Sequence, residues 1–200
     1  MAGRYLETMF TADVLAAQRK AYGAAQEVHG TPERDPLGAA EQEFIATRDS
    51  FFLATVNRDG WPYVQHRGGP AGFLTVPSPR ELLFADYGGN RQLISVGSLA
   101  HDPRVCLFLM DYPARTRLKI LGVAEVMDAR EHPGLVAASA PVGGHGAAVE
   151  RVVRVGVQSF DWNCPKFITE RYTAEEVEAV VGPLRARVAE LEGRLRDGSG

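Results

Sequence analysis

Residues 86–104 read DYGGNRQLISVGSLAHDPR, and the order of signals within them decides the fold. An apolar run ending in Ala85-Asp86-Tyr87 passes through Gly88-Gly89 to Asn90, Arg91 and Gln92. This order predicts a strand, a glycine turn, and a helix that Asn90 caps and that Arg91 and Gln92 begin. Leu93, Ile94, Val96 and Leu99 supply the apolar face of that helix, and Asp102-Pro103 ends it. A helix start carries free N–H groups and the positive end of the dipole, so with the cation of Arg91 beside it the stretch suits a phosphate. By pattern alone, the same turn also serves as a plain strand-to-helix connection.

Outward from this stretch, the period is that of strands. Residues 51–56 (FFLATV) form a buried strand, Asn57-Arg58-Asp59-Gly60 a hairpin turn, and residues 61–67 (WPYVQHR) the returning strand. After the glycine-rich residues 68–72, two more strands, 73–76 and 81–85, pair across a Pro-Ser-Pro turn; residues 105–111 and 118–127 make a third pair. Six strands, one intervening helix and short hairpin links argue for a mostly β fold with flanking helices, a closed or nearly closed antiparallel barrel. Beyond Asp128, residues 133–140 suggest a short helix and residues 141–146 a loop. Residues 151–160 alternate Val153, Val155 and Val157 with polar positions, a strand able to complete the barrel.

The ends of the chain are helical. Residues 11–28, capped by Thr11, predict one helix as an arm packed on the body, and residues 39–47 a second with Phe44 and Ile45 on its apolar side. Thr173-Ala174-Glu175-Glu176 is a capping box that opens the tail. In the tail, Val177, Val181, Leu184, Val188, Leu191 and Leu195 recur in steps of four and three, the seam of a two-helix contact, with Gly182-Pro183 predicting a break or kink. Packing on its own subunit and pairing across a dimer both satisfy that seam. The divisions are an N-terminal helical arm over 1–43, a barrel domain over 44–172 and a helical tail over 173–200.

Charge and cysteine usage exclude several classes. A net charge of −3 over 200 residues offers no general basic field for nucleic acid. The charged opening MAGRYLETMF and the lack of a long apolar run give no sign of a leader or membrane span, so a soluble, cytoplasmic protein is expected. Cys106 and Cys164 lie too far apart for a zinc or redox pair; Cys106 reads as a small core residue and Cys164 as inert. His29, His101, His132 and His145 lack ligand spacing, and no metal is expected.

The ordered set of Gln65-His66-Arg67, the 86–92 turn, His101-Asp102-Pro103-Arg104-Val105, and Arg115-Thr116-Arg117-Leu118-Lys119 leading into Gly122-Val123-Ala124-Glu125-Val126 resembles the pyridoxamine-phosphate-oxidase-like FMN-binding split barrels. The resemblance covers residues 44–128. Phe160-Asp161-Trp162-Asn163-Cys164-Pro165 further resembles a branch described only as flavin-nucleotide-binding.

The resemblance implies a six-stranded split barrel holding FMN at the interface of a homodimer. Arg67 corresponds to an arginine aimed at the phosphate or ribityl chain, with Gln65 and His66 beside the isoalloxazine. Asn90, Arg91 and Gln92 stand where the family shows Ser-Arg-Lys around the phosphate, and Arg117 and Lys119 on a strand that reaches the cofactor from the partner subunit. Lys119 or His66 would sit near the ring carbonyl. Gln92 in place of a cation, Gly72 near a phosphate lysine, and the absence of the terminal arginine-leucine motif separate the chain from the oxidase itself. The expected function is that of an FMN-dependent oxidoreductase on a small molecule, with nicotinamide as a possible reductant. A flavin carrier or sensor and a haem-binding relative with His145 as axial ligand are the alternatives. No residue is required as acid, base or nucleophile.

Overall fold

The computed structural model describes residues 3–30, 33–89, 91–139, 148–162 and 166–197. Asn90, the 141–146 loop with His145, and Cys164 fall outside them. Helices α1 (Gly3–Met9), α2 (Ala12–Tyr22) and α3 (Ala39–Ala46) precede β1 (Ser50–Val56), β2 (Pro62–Gly68), β3 (Thr75–Ser78) and β4 (Glu81–Tyr87). Helix α4 (Ile94–His101) then leads to β5 (Arg104–Asp111) and β6 (Thr116–Asp128); α5 (Pro133–Ser139), β7 (Val149–Trp162) and α6 (Ala174–Asp197) follow.

The described strands form one antiparallel sheet of seven, not six, in the order β2-β1-β5-β6-β7-β4-β3. The extra strand is β7. It is an interior strand, paired with β6 on one side and β4 on the other, and so joins the two parts of the sheet that the first six strands leave apart. As the alternation predicts, Val153, Val155 and Val157 of β7 line the core while Arg154, Gly156 and Gln158 on its other face are partly exposed. The sheet rolls up: Phe51 of β1 meets the edge of Phe84 of β4 at 5.2 Å, and Arg67 on edge strand β2 forms an ion pair with Asp86 of β4. Side chains, not hydrogen-bonded backbone, close the barrel between its two edges.

Alternation explains the core. Phe51 and Leu53, Leu82 and Phe84, Leu107 and Leu109, Leu118 and Ile120, and Val153, Val155 and Val157 all point inward and are buried. Leu83 on the opposite face of β4 packs with Met127 and Val152 under Leu135 and Val136 of α5, which is why β4 is buried on both faces. Asn57 fixes the first hairpin by accepting the N–H groups of Asp59 and Trp61 on Oδ1, at 3.0 and 2.9 Å, and Gly60 takes the positive φ of 83°.

The ends differ from the sequence reading. Thr11 caps α2 as expected, but Gly23, in the left-handed region, ends the helix at Tyr22, and no residue of α2 is buried. What packs on the barrel is α1, through Tyr5, which is 6% exposed. Helix α3 belongs to the core through Ile45, and its Glu41 accepts from Trp162 Nε1 at 2.6 Å, tying the N-terminal segment to the end of β7. Helix α6 carries the expected capping box, Thr173 N–H to Glu176 at 2.7 Å and Glu176 N–H to Thr173 at 3.1 Å, but runs unbroken through Pro183.

Candidate functional site

Inward-pointing residues at one end of the barrel are polar, and they converge. Asp86 has the parity of Leu82 and Phe84, and Arg151, directly opposite it in the β4–β7 ladder, has the parity of Val153. Arg67, Gln65 and Tyr63 share the face of Phe51 and Leu53. Asp86, 7% exposed, accepts from Arg67 on one carboxylate oxygen and from Arg151 Nε on the other at 2.7 Å. Arg151 also donates to Glu150 at 2.8 Å. Burial works against the Arg151 charge, but the hydrogen bonds and charges of Asp86 and Glu150 outweigh it and raise its pKa above the usual value, so it is a fixed cation.

A pocket of about 160 Å³ opens above this carboxylate. Arg67, Arg91 and Arg151 line it beside Asp86 and Glu150, with the first turn of α4 at its rim. Three guanidiniums against two carboxylates leave an excess of positive charge, to which the helix start adds about half a charge. Ser95, 2% exposed, donates to Gln65 Oε1 at 2.8 Å and locks that first turn onto β2. Arg67 Nε is buried with no hydrogen-bond partner among the described residues, a donor left for a ligand.

The helix starts later than the sequence suggests. Its first residue is Ile94, and Leu93 at φ 51° stands in the N-cap position without a side-chain cap. Arg91 is also left-handed, at φ 61°. Two non-glycine residues in this region within three positions hold strain of about 1–3 kcal/mol each, a feature that concentrates at ligand sites. They turn the chain so that Arg91 and Gln92 form the pocket wall instead of the helix.

Of the expected cofactor residues, Gln65, Arg67, Arg91 and Gln92 are brought together here. His66, Arg117 and Lys119 are not. His66 points to the outer face of the sheet, where its ring meets Phe52 edge-on at 5.6 Å. The ladders align His66, Phe52, Phe108, Lys119 and Asp161 in one outer row across five strands, with Arg117 in the next row opposite Met110. Lys119 is engaged: it pairs with Asp161 at 2.9 Å and lies 4.6 Å from the centre of the Tyr5 ring. Burial alone would lower its pKa, but the bonds and charges of Asp161 and Tyr5 outweigh that and raise it. Cys106, expected in the core, is half-buried on this outer face, and burial pushes its thiol pKa up, against activation as a nucleophile.

The sequence model of the family described as pyridoxamine 5'-phosphate oxidase matches residues 37–155. The chain belongs to that family. Among solved structures it is similar to a candidate pyridoxamine 5'-phosphate oxidase from Lactobacillus delbrueckii, at 22% identity and TM-score 0.48 over 64% of this chain and 94% of that one. It is also similar to HupZ of Group A Streptococcus, at 10% and 0.48 over 68% and 100%, and to an FMN-binding protein from Syntrophomonas wolfei, at 10% and 0.44 over 62% and 83%. No curated protein sequence matches it significantly.

The pyridoxamine 5'-phosphate oxidase match ends at Val155 and so spans both Asp86 and Arg151, two pocket residues that the sequence reading overlooked. Their signal was a charge at an inward parity on each of two strands, which demands a buried partner of opposite sign. Arg151 enters from β7 the same pocket that Gln92 lines and adds a cation to its wall.

Proposed function

We propose that this protein binds FMN, with the phosphate in the Arg67–Arg91–Arg151 pocket, and acts as an oxidoreductase on a small molecule. The observation that carries the reading is the Asp86 carboxylate, which orients two arginines around a pocket whose remaining wall is Arg91 and a helix start. A phosphate dianion asks for such a set: charge-assisted donors from several directions and fixed cations. The orphaned Arg67 Nε and the excess of positive charge fit it. The flavin, when bound, supplies the hydride chemistry; the protein binds, orients and shields it.

A volume of about 160 Å³ takes the phosphate end and not a whole flavin, for which about 300–1,000 Å³ is usual. The ring therefore lies outside the barrel end, against a surface that a second copy supplies. The outer face of β2, β1, β5 and β6 fits that role: Val64, Phe52, Val56 and Val123 are exposed there, and His66 and Arg117 are on it. A homodimer in which this face meets the pocket of its partner reunites residues that one chain holds on opposite faces. Lys119, held by Asp161, contributes to that surface through its charge and not as a mobile ligand.

The test is titration with FMN, followed by quenching of flavin fluorescence. Arg91→Ala removes one charge-assisted hydrogen bond, about 1.5–3 kcal/mol, and should weaken binding about 10–100-fold. Unchanged affinity would remove Arg91 from the site. Reduction of the bound flavin by reduced nicotinamide, then reoxidation by an added acceptor, separates an oxidoreductase from a carrier.

A further inference from the structure

Helix α6 is 24 residues long, spans about 36 Å, and none of its residues is buried. Its apolar side chains nevertheless keep strict heptad order. Val181, Val188 and Leu195 occupy a positions, and Val177, Leu184 and Leu191 occupy d positions; Leu184 is 61% exposed and Val188 54%. The weak helix formers Gly182, Pro183 and Gly193 fall at b, c and f, away from the seam. A monomer gains nothing from so regular a seam left in water.

We propose that α6 pairs with α6 of a second copy of this chain as a parallel two-stranded coiled coil. Two independent features select that occupant. In the central part of the seam, Val181-Leu184 and Val188-Leu191, β-branched valine at a is combined with leucine at d, which favours two parallel strands; Val177 and Leu195 at the ends depart from that pattern. The flanking charges select the same direction. In a parallel pair, Arg187 at g faces Glu192 at the partner's e position, an attractive contact on both sides of the seam. In the antiparallel pair that aligns the same apolar layers, Glu178 meets Glu192, Arg185 meets Arg185, and Arg187 meets Arg187. Arg187 can turn to the new partner because its present one, Glu190, is also held by Arg194 at 2.8 Å.

The seam is shorter than the roughly three to four heptads of a self-sufficient coiled coil. The pairing therefore rests on the barrel dimer proposed above, which raises the effective concentration of the two helices.

The test is disulfide trapping in the full-length protein, with the wild type as control for its native thiols. In a parallel pair identical d positions adjoin, so Leu191→Cys should link to itself under mild oxidation about tenfold more than Ala186→Cys on the outward face. Linking only between Val181→Cys and Leu191→Cys chains would show an antiparallel pair and overturn the proposal. So would no linking of Leu191→Cys in a sample that sediments as a flavin-loaded dimer, which leaves the barrel pairing standing. A monomeric mass would overturn both.

Discussion

Asp86 carries more of the site than any residue the sequence singles out. Its carboxylate is buried between Arg67 and Arg151, and a buried charge deprived of its partner is costly. Asp86→Asn should therefore lower the unfolding free energy by about 3 kcal/mol, read from the urea midpoint at constant slope. A change within 0.5 kcal/mol would show the three charges to be hydrated instead. Lys119 offers a second check through pH. Its pKa is raised in the fold above the usual 10.5, so the stabilisation is complete below the unfolded value and fades as pH climbs through the folded one. Urea melts should lose this contribution only above about pH 10, and Lys119→Met should reduce that alkaline slope, leaving the part due to Tyr5, whose pKa burial also raises. At this scale the local pattern of the sequence singled out Arg91, and the family resemblance added Arg67 and Gln65. Arg151 was hidden because its partner lies 65 positions earlier, and only the inward parity of both residues, Asp86 and Arg151, hinted at the pair.

At the scale of elements, hairpins and caps were legible because their signals are local. Asn57 to Gly60, Thr11 and Thr173 all act as their chemistry dictates. The start of α4 was not, since tertiary contacts hold Arg91 and Leu93 in the left-handed region against their own preference. The centrality of β7 also escaped, as strand order depends on pairings of long range. Where β6 crosses β7 the register shifts at Leu121/Gly122, and a Cβ on Gly122 would lie 2.4 Å from Val155 Cγ1 and 3.2 Å from the Gly156 carbonyl oxygen. Gly122→Ala should cost about 2 kcal/mol by overpacking, seen as a lower melting temperature with flavin affinity per folded molecule unchanged. Equal stability would mean that the two strands separate more readily than their ladder implies.

For the whole molecule, one barrel end gathers positive charge and one outer face exposes apolar side chains, and on the proposed function the two form a single site when copies meet. Of the residues suggested by family resemblance, Gln65, Arg67, Arg91 and Gln92 line the pocket, while His66, Arg117 and Lys119 lie on the opposite face of the sheet. No helix among the described residues is long and apolar enough to cross a membrane. The central claim is that the pocket reads the phosphate and not the ring. Riboflavin carries the same ring without that phosphate, so comparison of the two ligands by fluorescence titration is the most direct measurement. FMN should bind at micromolar concentration or below and riboflavin at least about 150-fold more weakly, the loss of about 3 kcal/mol or more expected for two charge-assisted contacts. Equal affinities would contradict the account.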